Sequence, residues 1–145
     1  MKIKKLLALV LSLGLLTGCS SNGSTASNEE IVTEITAPVE ITFWHAMSGD
    51  LEKTLQNLTD EFTAQNPNIT VTLQNQSSYQ DLQQKITATV ASPKDLPTLT
   101  QAYPDWMFNP REEGLVTDLT PYIENETIGF DNYEDILPSL REANT

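Results

Sequence analysis

The chain has 145 residues, of which 39% are hydrophobic and 7% aromatic, so its length and composition suit one small globular domain rather than two. Its formal net charge of −12 at pH 7 repels phosphate backbones, which argues against a nucleic-acid partner. Cys19 is the single cysteine, so a disulfide within the chain is excluded.

The first residues have the composition of a bacterial export signal. Three lysines among the first five residues precede a continuous apolar run over residues 6–16, which is too short to span a bilayer as a stable helix. The run ends in LTGC at residues 16–19, which resembles the lipobox of bacterial lipoproteins, where the peptide is cut before the cysteine and the thiol is acylated. An ordinary signal peptide with a cysteine near its cleavage site is the alternative interpretation.

We therefore predict a signal peptide over residues 1–18, acyl chains such as palmitate on Cys19, and a flexible tether over residues 19–38 that is rich in Ser, Asn, Thr and Glu. Loss of the signal peptide removes three of the eight basic residues and no acidic one, so the formal charge moves from −12 to −15. Two or three acyl chains hold a protein durably at a membrane, whereas one chain gives only marginal binding.

A strand, a loop and a helix are predicted at the start of the folded part. Ile41, Phe43 and Trp44 lead into a polar turn that contains Gly49. A helix over residues 50–65 follows, with one apolar stripe made of Leu51, Leu55, Leu58 and Phe62.

Two further strands and a second helix follow in alternation. Alternating apolar and polar residues predict a strand over residues 69–74, and a helix over residues 79–91 begins with Ser78 and Asp81 in capping-box spacing. Residues 96–102 are the third strand candidate. After it, either one helix opens at residues 103–106, or Asn109 caps a shorter helix that Gly114 closes.

The order β-α-β-α-β predicts an α/β fold with a mostly parallel sheet and flanking helices. The loops after the three strands then fall on one edge of the sheet, and each of them carries aromatic residues. Aromatic rings stack on the C–H faces of a sugar, while polar groups bond its hydroxyls; rings that only cap the core are the alternative. The candidate ligand-binding residues are Trp44, His45, Tyr79, Tyr103, Asp105 and Trp106.

No catalytic residue, metal or cofactor is predicted. His45 is the only histidine, and HExxH, GxSxG and paired Cys/His spacings are missing from the sequence, so a polar contact to ligand or a satisfied loop histidine is the interpretation. Asp105 lies in a predicted cleft loop, where recognition of ligand hydroxyls is preferred over general acid catalysis.

Four fragments in order resemble the family 1 extracellular solute-binding proteins of ABC importers, nearest to the glycerol-3-phosphate and maltose-type branch. These are FWHAMSG at 43–49, NPNI at 66–69, SYQDLQQKI at 78–86 and LPTLTQAY at 96–103. The resemblance implies a periplasmic-binding-protein-like receptor of two α/β lobes that closes on a sugar or sugar derivative and delivers it to permease subunits in the membrane. Family members are far longer, so residues 39–145 are expected to be most of the first lobe only.

The resemblance also implies which loops bind the ligand. The family uses the loop after the first strand, the tyrosine that opens the second helix, and the loop after the third strand, which correspond here to Trp44 and His45, to Tyr79, and to Tyr103 with its successors. Glycerol-3-phosphate receptors carry a carboxylate directly after the last of these tyrosines, whereas this chain has Pro104 and then Asp105. A neutral saccharide is favoured over a sugar phosphate for this reason.

The leading hypothesis is therefore the N-terminal portion of a sugar-binding lipoprotein, not an enzyme, that serves an ABC importer. Ser20 after the lipidated cysteine would send the protein to the outer membrane of a two-membrane cell, away from its permease, so we expect the outer face of a Gram-positive cell membrane. A lipid-anchored surface adhesin built on a binding-protein lobe, or a non-functional truncated gene product, is the alternative. Neighbouring permease genes would favour the importer.

Overall fold

The computed structural model describes residues 31–143 of the chain. The predicted signal peptide, Cys19 and the first part of the predicted tether lie outside the described residues. Residues 31–38 contain no helix and no strand. Between residues 31 and 143, no helix is long and apolar enough to cross a membrane.

Three parallel strands form the sheet, as the sequence predicts. They are β1 (Val39–His45), β2 (Ile69–Asn75) and β3 (Leu99–Thr100), arranged in the order β2-β1-β3, so β1 lies in the centre. Phe43 of β1 pairs with Leu73 on one side and with Leu99 on the other. The predicted α/β class is confirmed.

Two helices connect the strands. α1 (Asp50–Gln65) runs from β1 to β2, and α2 (Tyr79–Thr89) runs from β2 to β3 and passes over β1. The right-handed crossover rule places α1 and α2 on opposite faces of the sheet, because the chain leaves β1 in one direction and returns past it in the other. Shorter helices complete the described chain; these are α3 (Phe108–Glu112), α4 (Thr120–Ile123) and α5 (Pro138–Glu142), with 3-10 turns at Pro93–Asp95, Pro104–Met107 and Tyr133–Asp135.

The centre of the core lies between β1 and α2. Trp44, Leu82 and Ile86 are buried there, and Trp106 packs against them from the loop after β3. The indole N–H of Trp44 donates to Gln74 Oε1 over 2.9 Å, so the one polar atom of this buried ring is satisfied. Leu82 and Ile86 thus mark the face of α2 that the sheet covers.

α1 has the predicted bounds, but its apolar stripe is not its buried face. Leu51 is 66% exposed, and Leu58 and Phe62 are exposed too, whereas Leu55 is half-buried and Thr59 is buried. Thr59 tolerates burial because its hydroxyl donates to the carbonyl oxygen of Leu55 over 2.9 Å. The helix is therefore rotated about its axis relative to the position that its apolar residues predict.

β3 is shorter than the predicted strand over residues 96–102. Pro97 has no N–H to donate. The next residue, Thr98, and Thr42 of β1 bond each other's backbone N–H through their side-chain hydroxyls, in place of backbone-to-backbone bonds. The Thr98 N–H donates to Thr42 Oγ1 over 3.0 Å, and the Thr42 N–H donates to Thr98 Oγ1 over 3.3 Å. The regular ladder consequently begins only at Leu99.

One helical segment opens directly after Tyr103, which settles the two alternatives for this region. The 3-10 turn Pro104–Met107 continues into α3, so Pro110 lies inside that helix and the predicted cap at Asn109 is wrong. Gly114 closes the segment with a φ of +69°. Its N–H donates to the carbonyl oxygen of Arg111, and the next N–H donates to that of Pro110, which is a Schellman motif that favours glycine.

We expect Ser78→Ala to lower the free energy of unfolding by about 1 kcal/mol, because α2 loses its N-cap. Ser78 Oγ accepts from the Asp81 N–H over 3.1 Å and donates to Asp81 Oδ2 over 2.6 Å. Urea denaturation followed by circular dichroism measures the change. Ser92→Ala is the matched control, since Ser92 precedes a 3-10 turn without a side-chain cap bond; equal losses from both variants would contradict the capping role.

Candidate functional site

The loops that follow β1 and β3 meet at one edge of the sheet. β1 is the central strand. The chain runs from β1 to β2 on one side of it and then crosses back to form β3 on the other side, so the strand order reverses at β1. Ligands of open α/β sheets bind outside the carboxyl ends of the strands at such a reversal of strand order. The residues at this edge come from the loop after His45, from the start of α2 and from the segment after Thr100.

Three of the predicted site residues are in contact here. The ring centroids of Tyr79 and Tyr103 are 5.3 Å apart, those of Tyr103 and Trp106 are 5.0 Å apart, and those of Tyr79 and Trp106 are 6.1 Å apart. We call these three residues the aromatic cluster. Tyr79 is 43% exposed and Tyr103 is 51% exposed, whereas Trp106 is half-buried and packs on the core. The cluster is therefore anchored on one side and open to a ligand on the other.

Gln101 links the aromatic cluster to the loop after β1. Its Oε1 accepts from the backbone N–H of Ala46 over 3.1 Å, and its Nε2 donates to the hydroxyl of Tyr79 over 2.7 Å. Its own backbone N–H donates to the carbonyl oxygen of Trp44 over 2.9 Å and so extends the pairing of β1 and β3. A single side chain thus fixes the relative position of two loops and the start of α2.

Trp44 and His45 are buried, and the prediction that they lie in the loop after the first strand is wrong. Both residues still belong to β1, and the loop begins only at Ala46. Trp44 lies under α2, and Lys85 of that helix places its Nζ 4.1 Å from the centroid of the indole ring. His45 is 1% exposed; its Nδ1 accepts from the N–H of Met47 over 3.3 Å, which requires an unprotonated Nδ1. A direct ligand contact by either residue stays a prediction.

Asp105 is exposed in the 3-10 turn that also carries Trp106. Within residues 31–143 its carboxylate takes part in no hydrogen bond and no ion pair. An unengaged carboxylate beside exposed rings is able to accept hydrogen bonds from hydroxyl groups of a ligand.

A cavity of about 580 Å³ lies in the last part of the described chain and shares no lining residue with the aromatic cluster. Val116, Leu119 and Ile123 supply part of its apolar wall. Asp118, which also lines the cavity, accepts from the backbone N–H of Thr120. This bond and a bond to the Thr120 hydroxyl hold the pKa of Asp118 below its ordinary value; desolvation opposes them, and the charge of Arg111 adds a smaller lowering effect.

Taken together, an open parallel sheet with exposed rings at the carboxyl ends of its strands defines a ligand-binding α/β lobe. The family model described as bacterial extracellular solute-binding protein matches residues 48–145. The chain belongs to this family, and its sheet fits part of a periplasmic-binding-protein-like lobe. Its role is therefore to bind a solute outside the cytoplasm. No curated protein matches the chain.

Proposed function

We propose that the chain captures a neutral saccharide at the aromatic cluster and serves an ABC importer from the outer face of the cell membrane. The observation that carries this proposal is the contact of three aromatic rings, two of them exposed. Tyr103 and Trp106 lie in the segment that also holds the unengaged carboxylate of Asp105, and Tyr79 opens α2. Tyr79, Tyr103 and Trp106 supply stacking surface, and Asp105 accepts from ligand hydroxyls. Trp106 packs against the core cluster that contains Trp44, and His45 accepts from the N–H of Met47 in the loop after β1.

Charge favours a neutral sugar over a sugar phosphate at this site. Asp105 is the charged residue of the turn Pro104–Met107, so this turn offers a phosphate group no counter-charge. Lys85, a basic residue of α2, is held over the buried ring of Trp44. A saccharide needs no counter-charge, because its C–H faces stack on rings and its hydroxyls find acceptors.

Titration of the chain with a small panel of ligands tests the proposal. The panel contains glucose, maltose, lactose and raffinose as neutral probes and glycerol 3-phosphate as the anionic comparison. We expect at least one neutral saccharide to change the tryptophan fluorescence, because Trp106 belongs to the cluster, and glycerol 3-phosphate to leave it unchanged. Rejection of all four saccharides by the wild-type chain would overturn the assignment, whether or not glycerol 3-phosphate binds.

The anchor is the second part of the proposal, and we expect Cys19→Ser to abolish lipid attachment. Acylation requires the thiol, and Cys19 is the only cysteine of the chain. Metabolic labelling with a fatty-acid analogue in a Gram-positive host, followed by electrophoresis, measures the attachment. Ser20→Ala, a change at the next residue that keeps the thiol, is the control and should retain the label; label on the Cys19→Ser variant would refute the assignment.

A further inference from the structure

The orientation of the Gln101 side-chain amide is fixed by the backbone. An amide has one end that accepts and one end that donates, and the N–H of Ala46 is able only to donate. Oε1 must therefore face Ala46, where it lies 3.1 Å from the nitrogen, and Nε2 must face the hydroxyl of Tyr79 at 2.7 Å. The reverse orientation would set two donors against each other at Ala46.

This orientation decides which hydrogen-bonding capacity of Tyr79 is left. The phenol oxygen accepts from Gln101 Nε2, so its own proton is not used in that bond. Among residues 31–143 the Tyr79 hydroxyl donates no hydrogen bond, and the residue is 43% exposed. The hydroxyl is thus poised as a donor.

We infer that Gln101 is a positioning residue that makes Tyr79 a hydrogen-bond donor to the bound solute, so the solute presents an acceptor oxygen at this point. This inference rests on the function proposed above. A ring, bridging or hydroxyl oxygen of a saccharide meets the requirement. An ammonium group does not meet the requirement, because it carries only hydrogen-bond donors and has no acceptor for the phenol proton.

Gln101→Glu reverses this polarity with almost no change in shape. A carboxylate still accepts from Ala46, but it offers Tyr79 an acceptor in place of a donor, so the phenol proton turns towards Glu and away from the solute. Protonation of the carboxyl group restores one accepting and one donating end. The variant should therefore recover wild-type behaviour as the pH falls through the ordinary range of a glutamate, about 4.3.

The first measurement needs no ligand and uses the full chain with ¹³C-labelled tyrosine Cζ. Tyr79→Phe assigns the Tyr79 resonance. We expect this resonance to shift in Gln101→Glu at pH 7 and to return to the wild-type position on acidification, while the wild-type resonance stays in place. Gln74→Glu is the matched control: Gln74 accepts from Trp44, so its carboxylate keeps that bond and should not move Tyr79. A Tyr79 resonance that is independent of pH in Gln101→Glu overturns the inference.

The second measurement uses whichever of glucose, maltose, lactose and raffinose binds best. We expect Gln101→Glu and Tyr79→Phe each to weaken binding about tenfold at pH 7, and the double variant to be no weaker than Tyr79→Phe. Acidification should restore affinity in Gln101→Glu only. Additive losses, or no recovery at low pH, contradict the inference. If none of the four sugars binds the wild-type chain, the proposed function fails, and the tyrosine resonance still decides the role of Gln101.

Discussion

Leu82→Ala is expected to lower the free energy of unfolding by about 2–5 kcal/mol. Leu82 is 0% exposed and lies with Ile86 against the ring of Trp44, in the contact that holds α2 on the sheet. Truncation removes buried methyl groups and leaves a cavity beside an aromatic ring that the strand holds in place. Urea denaturation followed by circular dichroism measures the loss.

Leu51→Ala makes the same chemical change on the other helix and serves as the control. Leu51 is 66% exposed, so its truncation should alter the free energy of unfolding by no more than about 0.5 kcal/mol. Comparable losses from Leu82→Ala and Leu51→Ala would mean that the apolar stripe of α1 is buried in solution, contrary to the exposure described above.

Local signals in the sequence predicted the elements that local contacts define. α1 ends at Gln65, where Asn66 donates through its side chain to the carbonyl oxygen of Phe62 and a proline follows. α2 begins where Ser78 and Asp81 stand three residues apart and bond each other. Both signals act within one turn of helix, so they need no knowledge of the rest of the fold.

The sequence did not predict which side chains are buried, because burial depends on which strand each helix crosses. Trp44 and His45 alternate across β1, and the pattern does not tell which side chain meets a helix before the order β2-β1-β3 is known. α2 returns over β1 and covers Trp44, which removes that ring from the open edge. The rotation of α1 has the same origin, because the sheet sets the buried face of a helix and the apolar stripe alone does not.

Gln101 shows the same limit within the candidate site. Its bonds join residues that are 55 and 22 positions away in the sequence, to Ala46 and to Tyr79. A glutamine in a strand-like run carries no local mark of such a role. The signal that was present is its place directly after β3, at the edge where Tyr103 was already predicted to lie.

We expect Tyr103→Ala to weaken binding of the best neutral saccharide by about 1.5–3 kcal/mol while the free energy of unfolding stays nearly constant. Tyr103 contacts both Tyr79 and Trp106 and is 51% exposed, so it offers a large free face to a sugar and contributes little to the core. Its removal takes away stacking surface and loosens the two remaining rings. Each 1.4 kcal/mol is a tenfold change in the dissociation constant, which calorimetry resolves readily.

Tyr122→Ala provides the comparison for Tyr103→Ala. Tyr122 is also an exposed tyrosine, but it lies in α4 and makes no aromatic contact with the cluster. Its truncation should leave saccharide affinity unchanged.

Affinity per folded molecule separates a binding role of Tyr103 from a role in the core, because a ring that only caps the core would affect stability and not affinity. It is measured alongside urea denaturation of each variant. If Tyr103→Ala unfolds the chain but the folded fraction binds as the wild type does, the aromatic cluster is part of the core and the sugar site lies elsewhere.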